Sequence, residues 1–239
     1  MPAVSISFFR FSGLIDRLWA FGQMQFARAK LRRIPGIGFH KLFGTGTGEG
    51  FTPVPNFGVY AVLATWPDLA TARRAVAEEQ AYRDYRGHAC ESATVFLETV
   101  SSRGRWDAGE PFPAEGQRLD PAEPIAVLTR ATLKKRHVLA FWGRTPDISG
   151  TVREQTHLLF KMGLGEVPWF QQVTFSIWDD HDSMKAFAYA SRTHGDAVRR
   201  VRENGWFKEE LYARFRVLGF DGTWDGRRPL ARQRMPEPA

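Results

Sequence analysis

The sequence predicts an α+β fold: tandem ferredoxin-like (β-α-β-β-α-β) repeats forming an intrachain dimeric α/β-barrel-like shell. Two observations predict it. His40-x-Leu42-Phe43-x-x-Gly46-x-Gly48-Glu49 matches His157-x-Leu159-Phe160-x-x-Gly163-x-Gly165-Glu166 at a constant offset. Each match then runs through the same landmarks: a strand ending in Trp66-Pro67-Asp68 or Trp178-Asp179-Asp180, a helix carrying His88 or His194, a returning strand, and Trp106-Asp107 or Trp224-Asp225. A ferredoxin-like unit exposes one sheet face, and two such units pair by packing those faces into a shell that can hold an apolar ligand. The expected division is a repeat at 1–107, a linker at 108–123, a second repeat with the functional site at 124–226, and a disordered basic tail at 227–239.

Each element has its own signal. Val4, Ile6 and Phe8 alternate with small polar residues in Val4–Phe9, a first strand. Leu14–Arg33 is an amphipathic helix, with Leu14, Ile15, Leu18, Trp19, Phe26 and Leu31 on its apolar side and Arg17, Arg28, Lys30, Arg32 and Arg33 on a basic one. Such a helix packs its apolar side on a core; alternatively, part of it touches a membrane or an apolar substrate. Gly36–Glu49 is a short apolar run closing in glycines, and its GTGTG lacks the spacing and the Lys-Ser/Thr of a phosphate loop. Phe57–Trp66 is a strand with Val59, Ala61 and Leu63 on one face, and Pro67-Asp68 starts a helix through Leu69–Tyr82. Thr94–Val100 is a strand, and Arg103–Glu123, rich in Gly, Pro and charge, is a linker.

In the second half, Ile125–Thr132 and His137–Trp142 are strand-like, Asp147–Leu159 is helical, and Gly163–Pro168 is a turn or short strand. Gln172–Trp178 alternates as a strand. Ser183–Phe220 joins a helix, marked by Met184, Phe187, Ala188, Ala197, Val198 and Val201, to a strand beyond Gly205. In that strand Leu211, Ala213, Phe215 and Val217 alternate with Tyr212, Arg214, Arg216 and Leu218.

Composition narrows the function classes. With 19 Phe and 8 Trp in 239 residues, the chain can line a site for a flat apolar ligand as well as fill a core. The net charge of +7 is concentrated in Arg28–Arg33 and Arg227–Arg234, without a nucleic-acid-binding motif, so nucleic acid is not the expected partner. The basic stretches suit an anionic lipid surface instead. The one cysteine, Cys90, excludes an internal disulfide and a multi-cysteine metal site, which fits a cytoplasmic setting. No signal peptide or membrane-spanning run is evident.

Three stretches carry a resemblance: FGTGTGEGFTPVPNFGVYAVLATWPD, VREQTHLLFKMGLGEVPWFQQVTFSIWDD and THGDAVRRVRENGWFKEELYARFRVLGF. The chain resembles the spheroidene monooxygenase family, acyclic carotenoid 2-ketolases of phototrophic bacteria, from Phe8 to about Gly226. The resemblance implies oxygen insertion at C2 of spheroidene or a related carotenoid by two successive hydroxylations. It also implies haem b as cofactor, reduced ferredoxin or a similar electron donor, and peripheral contact with the inner or photosynthetic membrane. An oligomer is compatible with it. The half-length repeat also resembles the dimeric α/β-barrel haem proteins, whose haem-degrading members carry the axial histidine on the helix before the last strand. Phe187–His194 is a similar setting with shifted spacing, which makes His194 the implied iron ligand and catalytic residue, with His157 and His137 as alternatives. Arg192, Arg199, Arg214 and Arg216 are candidates for the haem propionates, and Phe175, Trp178, Phe187, Trp206 and Phe215 for an aromatic lining. Other readings stay open: a haem-binding protein of the barrel group without carotenoid activity, a cofactor-free monooxygenase of the same class, and a basic surface-binding module.

Overall fold

The period-two runs form strands whose order repeats between the halves. β1 (Ala3–Arg10), β2 (His40–Gly46), β3 (Pro55–Trp66) and β4 (Glu91–Gly104) belong to the first half, and β5 (Ile125–Leu133), β6 (Leu158–Val167), β7 (Gln171–Trp178) and β8 (Phe207–Gly222) to the second. They hydrogen-bond in the order β4-β1-β3-β2 and β8-β5-β7-β6, within an antiparallel barrel that closes as β1-β3-β2-β6-β7-β5-β8-β4. The helices are α1 (Leu14–Leu31), α2 (Leu69–Glu78), α3 (Gln80–His88) and α4 (His181–Ala190). The computed structural model describes residues 1–48, 52–114, 120–143, 157–190 and 205–230. Two compact units divide the chain: Met1–Gly44 with Asn56–Thr99 and Val217–Ala239, and Thr45–Pro55 with Val100–Arg216.

In the first unit, alternation along β1 sends Ala3, Ser5, Ser7 and Phe9 to the face on which α1, α2 and α3 pack. Their cross-strand partners there are Trp66, Ala64, Val62 and Tyr60 on β3. The predicted helix over Leu69–Tyr82 is two helices, because Glu79 adopts an extended ψ of 138° between α2 and α3. Asp68 caps α2, accepting from the Thr71 N–H at 2.6 Å.

The first helix corrects an expectation. Its core side is Ala20, Gln23, Ala27 and Leu31, whereas Leu14, Ile15, Leu18 and Phe26 are exposed. Small residues let α1 approach a layer already filled by Phe9 and Tyr60 of the strands and Tyr85 of α3, so the bulkier apolar stripe is left outside.

In the second unit two expectations change. His137–Trp142 is not a strand: Lys135–His137 is a 3-10 turn and residues 138–143 are helical. Val138, Phe141 and Trp142 satisfy helical spacing as well as an apolar run, an ambiguity that short segments carry. Of the two readings of Gly163–Pro168, the strand holds, since β6 continues to Val167. Leu158 and Leu159, placed in a helix by the sequence, begin that strand; the rest of Asp147–Leu159 is outside the described residues apart from His157, a turn residue. The expected linker is anchored through Phe112, which is buried edge-on against Phe215 at 5.3 Å.

Matching turns close β4 and β8. In the second unit, Trp106 and Gly109 exchange two backbone hydrogen bonds around Asp107 (φ 53°). In the first unit, Trp224 and Arg227 do the same around Asp225 (φ 54°). A Cβ at Gly104 would lie 2.2 Å from the Glu210 carbonyl oxygen, and one at Gly222 2.2 Å from that of Ser92, so both strand ends require glycine. An arginine covers each tryptophan: Arg130, paired with Glu209, lies 5.4 Å from the Trp106 ring, and Arg10, paired with Glu91, lies 4.4 Å from the Trp224 ring.

Candidate functional site

The helix-facing side of the second-half strands is where polar chemistry gathers. Alternation along β7 sends Val173, Phe175 and Ile177 to one face, all fully buried, and Gln172, Thr174 and Ser176 to the other, all half-buried. Register places Val127, Thr129 and Ala131 of β5 beside the second set, with Lys161, Gly163 and Gly165 of β6 and Tyr212, Arg214 and Arg216 of β8. α4 identifies this as the helix side, because its Met184 and Phe187 pack with Trp178, Ile125 and Val127. The rings of Trp178 and Phe187 lie 4.9 Å apart.

Local chemistry fixes the edges of this surface. Asp180 caps α4, accepting from the Ser183 N–H at 2.7 Å and the Ser183 hydroxyl at 3.0 Å, and these bonds hold its carboxyl below the usual range. His181, at the start of α4, is held below the ordinary histidine value by burial and then by Lys185 and Arg214. Thr129 and Thr174 join hydroxyls at 2.5 Å in mid-surface. Arg216 is held by Glu123 at 3.0 Å, and the Tyr212 hydroxyl donates to Glu210 at 3.1 Å. The result is a surface of small side chains, half-buried cations and one apolar wall, Trp178–Met184–Phe187.

Of the residues singled out by sequence, Arg214, Trp178 and Phe187 come together here. Phe175 does not: it and Phe215 are both fully buried on the opposite face, so alternation separates them from Trp178 and Phe187. His194, Arg192 and Arg199 lie outside the described residues. Trp206 is stacked on His137 at 5.3 Å, and desolvation with Arg136 and Lys134 nearby lowers the His137 pKa. His40 Nδ1 lies 3.0 Å from the Gly38 carbonyl, a turn contact. His157 Nδ1 is 2.8 Å from Asp179, which raises the histidine pKa through its hydrogen bond and its charge. His157, Asp179 and Asp180 could together offer ligand atoms within 4.8 Å of one another. The ion pair and the helix cap already account for that grouping.

Lys161, Thr129, Thr174 and Ser176 were not singled out by sequence. The available signal was polar: Thr129 of β5 and Thr174 and Ser176 of β7 stand between buried apolar positions, where the first half places Tyr60, Val62 and Trp66 beside Phe9, Ser5 and Ser7.

No protein-family model matches the chain. It is 47% identical over 232 residues to a spheroidene monooxygenase of Rhodobacter capsulatus, covering 97% of this chain and 96% of that one. It is 47% identical over 240 residues to one of Cereibacter sphaeroides, covering 100% of this chain and 74% of the relative. A spheroidene monooxygenase of Rubrivivax gelatinosus is 30% identical over 217 residues, with 89% and 81% covered. Among solved structures, an aldoxime dehydratase bound to butyraldoxime superposes with a TM-score of 0.60 at 11% identity, over 90% of this chain and 79% of that one, a likeness of fold alone.

Proposed function

The chain belongs to the spheroidene monooxygenase family, and from that premise we propose that it is a carotenoid monooxygenase inserting oxygen at C2 of spheroidene or a related acyclic carotenoid. The observation that carries the reading is 47% identity over 97% of the chain. The first insertion converts the C2 methylene to an alcohol. A second at the same carbon gives a gem-diol, which loses water to the ketone. The C2 hydrogens are allylic and their bonds correspondingly weak, so the protein's task is to position a hydrocarbon rather than to ionise it.

We assign haem b to the helix-facing side of the second-half strands, with reduced ferredoxin or a similar donor supplying electrons. The residues fit the group: Val127, Thr129, Gly163, Thr174 and Ser176 present no bulky side chain to a flat macrocycle. Lys161 and Arg214 are half-buried cations on the same face, suited to two carboxylates. When bound, haem supplies reductive activation of dioxygen. Trp178, Met184 and Phe187 keep water from one side of the site, and the Thr129–Thr174 hydroxyl pair fixes two polar side chains at its floor. On the strength of the resemblance, His194 would be the residue that holds the haem iron.

The matching strand orders support a further reading of the halves as duplicated ferredoxin-like units. We also propose peripheral attachment to the membrane that holds the carotenoid. No helix among the described residues is long and apolar enough to cross one.

The test is a purified protein carrying a Soret band that turns spheroidene into its 2-keto product with a ferredoxin system. His194→Ala should lose the band and the turnover. Turnover without haem would overturn the cofactor assignment, and a haem protein that leaves spheroidene untouched would overturn the substrate.

A further inference from the structure

The apolar stripe that α1 turns away from the core has no role in the chemistry above. Leu14, Ile15, Leu18, Phe21 and Phe26, with Phe57 at the start of β3, are between 52% and 79% exposed. Phe21 and Phe57 touch edge to face at 5.7 Å, so the stripe continues beyond the helix. Six large apolar side chains exposed along one helix and the adjoining strand end mark an interaction surface rather than scattered exposure.

We propose that this face of α1 is the membrane-docking element, lying in the interface of an anionic phospholipid bilayer with Leu14, Ile15, Leu18, Phe21, Phe26 and Phe57 among the acyl chains. The inference rests on the peripheral attachment proposed above and assigns its surface. Charge selects the occupant. The exposed charges along and just beyond the helix are Arg17, Arg28, Arg32 and Arg33, along with Lys30, which is paired with Asp84 at 2.7 Å. The one acidic residue of α1, Asp16, is turned onto His88, with Oδ1 2.9 Å from the imidazole Nδ1. An apolar face bordered by arginines is the pattern of a helix lying in the plane of an anionic interface. A second copy of the chain fits less well, because a two-fold contact through this face would set these arginines against their own copies.

The experiment uses the full chain and sedimentation with vesicles of phosphatidylcholine, with and without phosphatidylglycerol. Wild type should bind the anionic vesicles, and added salt should weaken the binding. Leu18→Glu with Phe21→Glu should lower the partition coefficient by about tenfold or more, with an unchanged circular dichroism spectrum because both sites are exposed. Arg28→Gln with Arg32→Gln and Arg33→Gln should erase the preference for phosphatidylglycerol. Leu139→Glu, at an exposed apolar site of the other unit, should bind like wild type. If wild type binds but the Leu18/Phe21 variant binds equally well, the α1 assignment fails and attachment stands. Absence of wild-type binding to either vesicle overturns both. If light scattering shows a wild-type oligomer that the Leu18/Phe21 variant dissolves, the face joins two copies and the proposal is overturned.

Discussion

The two halves use one strand order for opposite ends. In the first, the layer between strands and helices is packed solid: Phe9 stacks on Tyr85 at 4.8 Å, and Tyr60, Val62, Trp66, Tyr82 and Phe96 complete a dry core. Burial there pushes the Tyr60 phenol up to about 12 and raises Tyr82 and Tyr85 as well. In the second, the corresponding layer keeps threonines, a serine, glycines and half-buried cations, and among the described residues Ile125, Trp178 and Met184 form its buried apolar cluster. Among the described residues, the first half thus concentrates buried aromatic packing on the helix side of its strands, and the second half concentrates polar and charged side chains there.

The largest effects should expose that division. Phe9→Ala removes a fully buried ring from the solid layer and should cost about 3–5 kcal/mol in chemical denaturation. Thr174→Trp breaks the Thr129–Thr174 hydroxyl contact and puts a large ring on the proposed haem face; it should abolish turnover and the Soret band while costing about 1 kcal/mol in urea unfolding. If Thr174→Trp retained both, the ligand would not lie on this face.

A smaller contrast lies in the two closing turns. Arg130 is almost wholly buried, and Glu209 is its carboxylate. Burial works against the charge on Glu209, but the Ala108 N–H, Arg130 and the Asp107 N–H together hold its pKa below the usual range. Glu209→Gln strands a buried guanidinium and should cost about 3 kcal/mol. In the counterpart, Arg10 is a third exposed and keeps Asp225 at 2.6 Å, so Glu91→Gln should cost about 1 kcal/mol or less. Equal losses from thermal or urea unfolding would mean that the turns contribute alike.

Much of this asymmetry was legible in the sequence, and some was not. The repeated landmarks pointed to Trp106-Asp107 and Trp224-Asp225 and to a helix after each Trp-x-Asp, and the turns and the caps at Asp68 and Asp180 fall at those places, because a turn or a cap is specified by a few adjacent residues. The alternation of Leu211, Ala213, Phe215 and Val217 correctly sorted the faces of β8. Alternation on one strand does not say which face meets helices, so Phe175 and Phe187 were grouped although they point apart. For α1, hydrophobicity picked out Trp19 and Leu31, which meet the core, together with Leu14, Ile15, Leu18 and Phe26, which are exposed: the core rewards close approach, which Ala20 and Ala27 allow, and amphipathicity cannot tell a core from a lipid surface.

The smallest expected effect concerns the matched histidines at the starts of β2 and β6. His40 meets a carbonyl, whereas His157 meets the Asp179 carboxylate, whose hydrogen bond and charge raise the His157 pKa. A raised folded-state value means that the folded chain holds this proton more tightly than the unfolded one. The stabilisation is therefore fully present below the unfolded value of about 6.5 and fades as pH rises through the higher folded value, provided Asp179 stays ionised. The difference in thermal midpoint between wild type and His157→Gln should accordingly be greatest between about pH 5 and 6.5 and shrink toward pH 8. With the pair more than half exposed on the histidine side, the shift should be a degree or so. A difference that grew toward alkaline pH would reverse the sign and remove Asp179 as the cause.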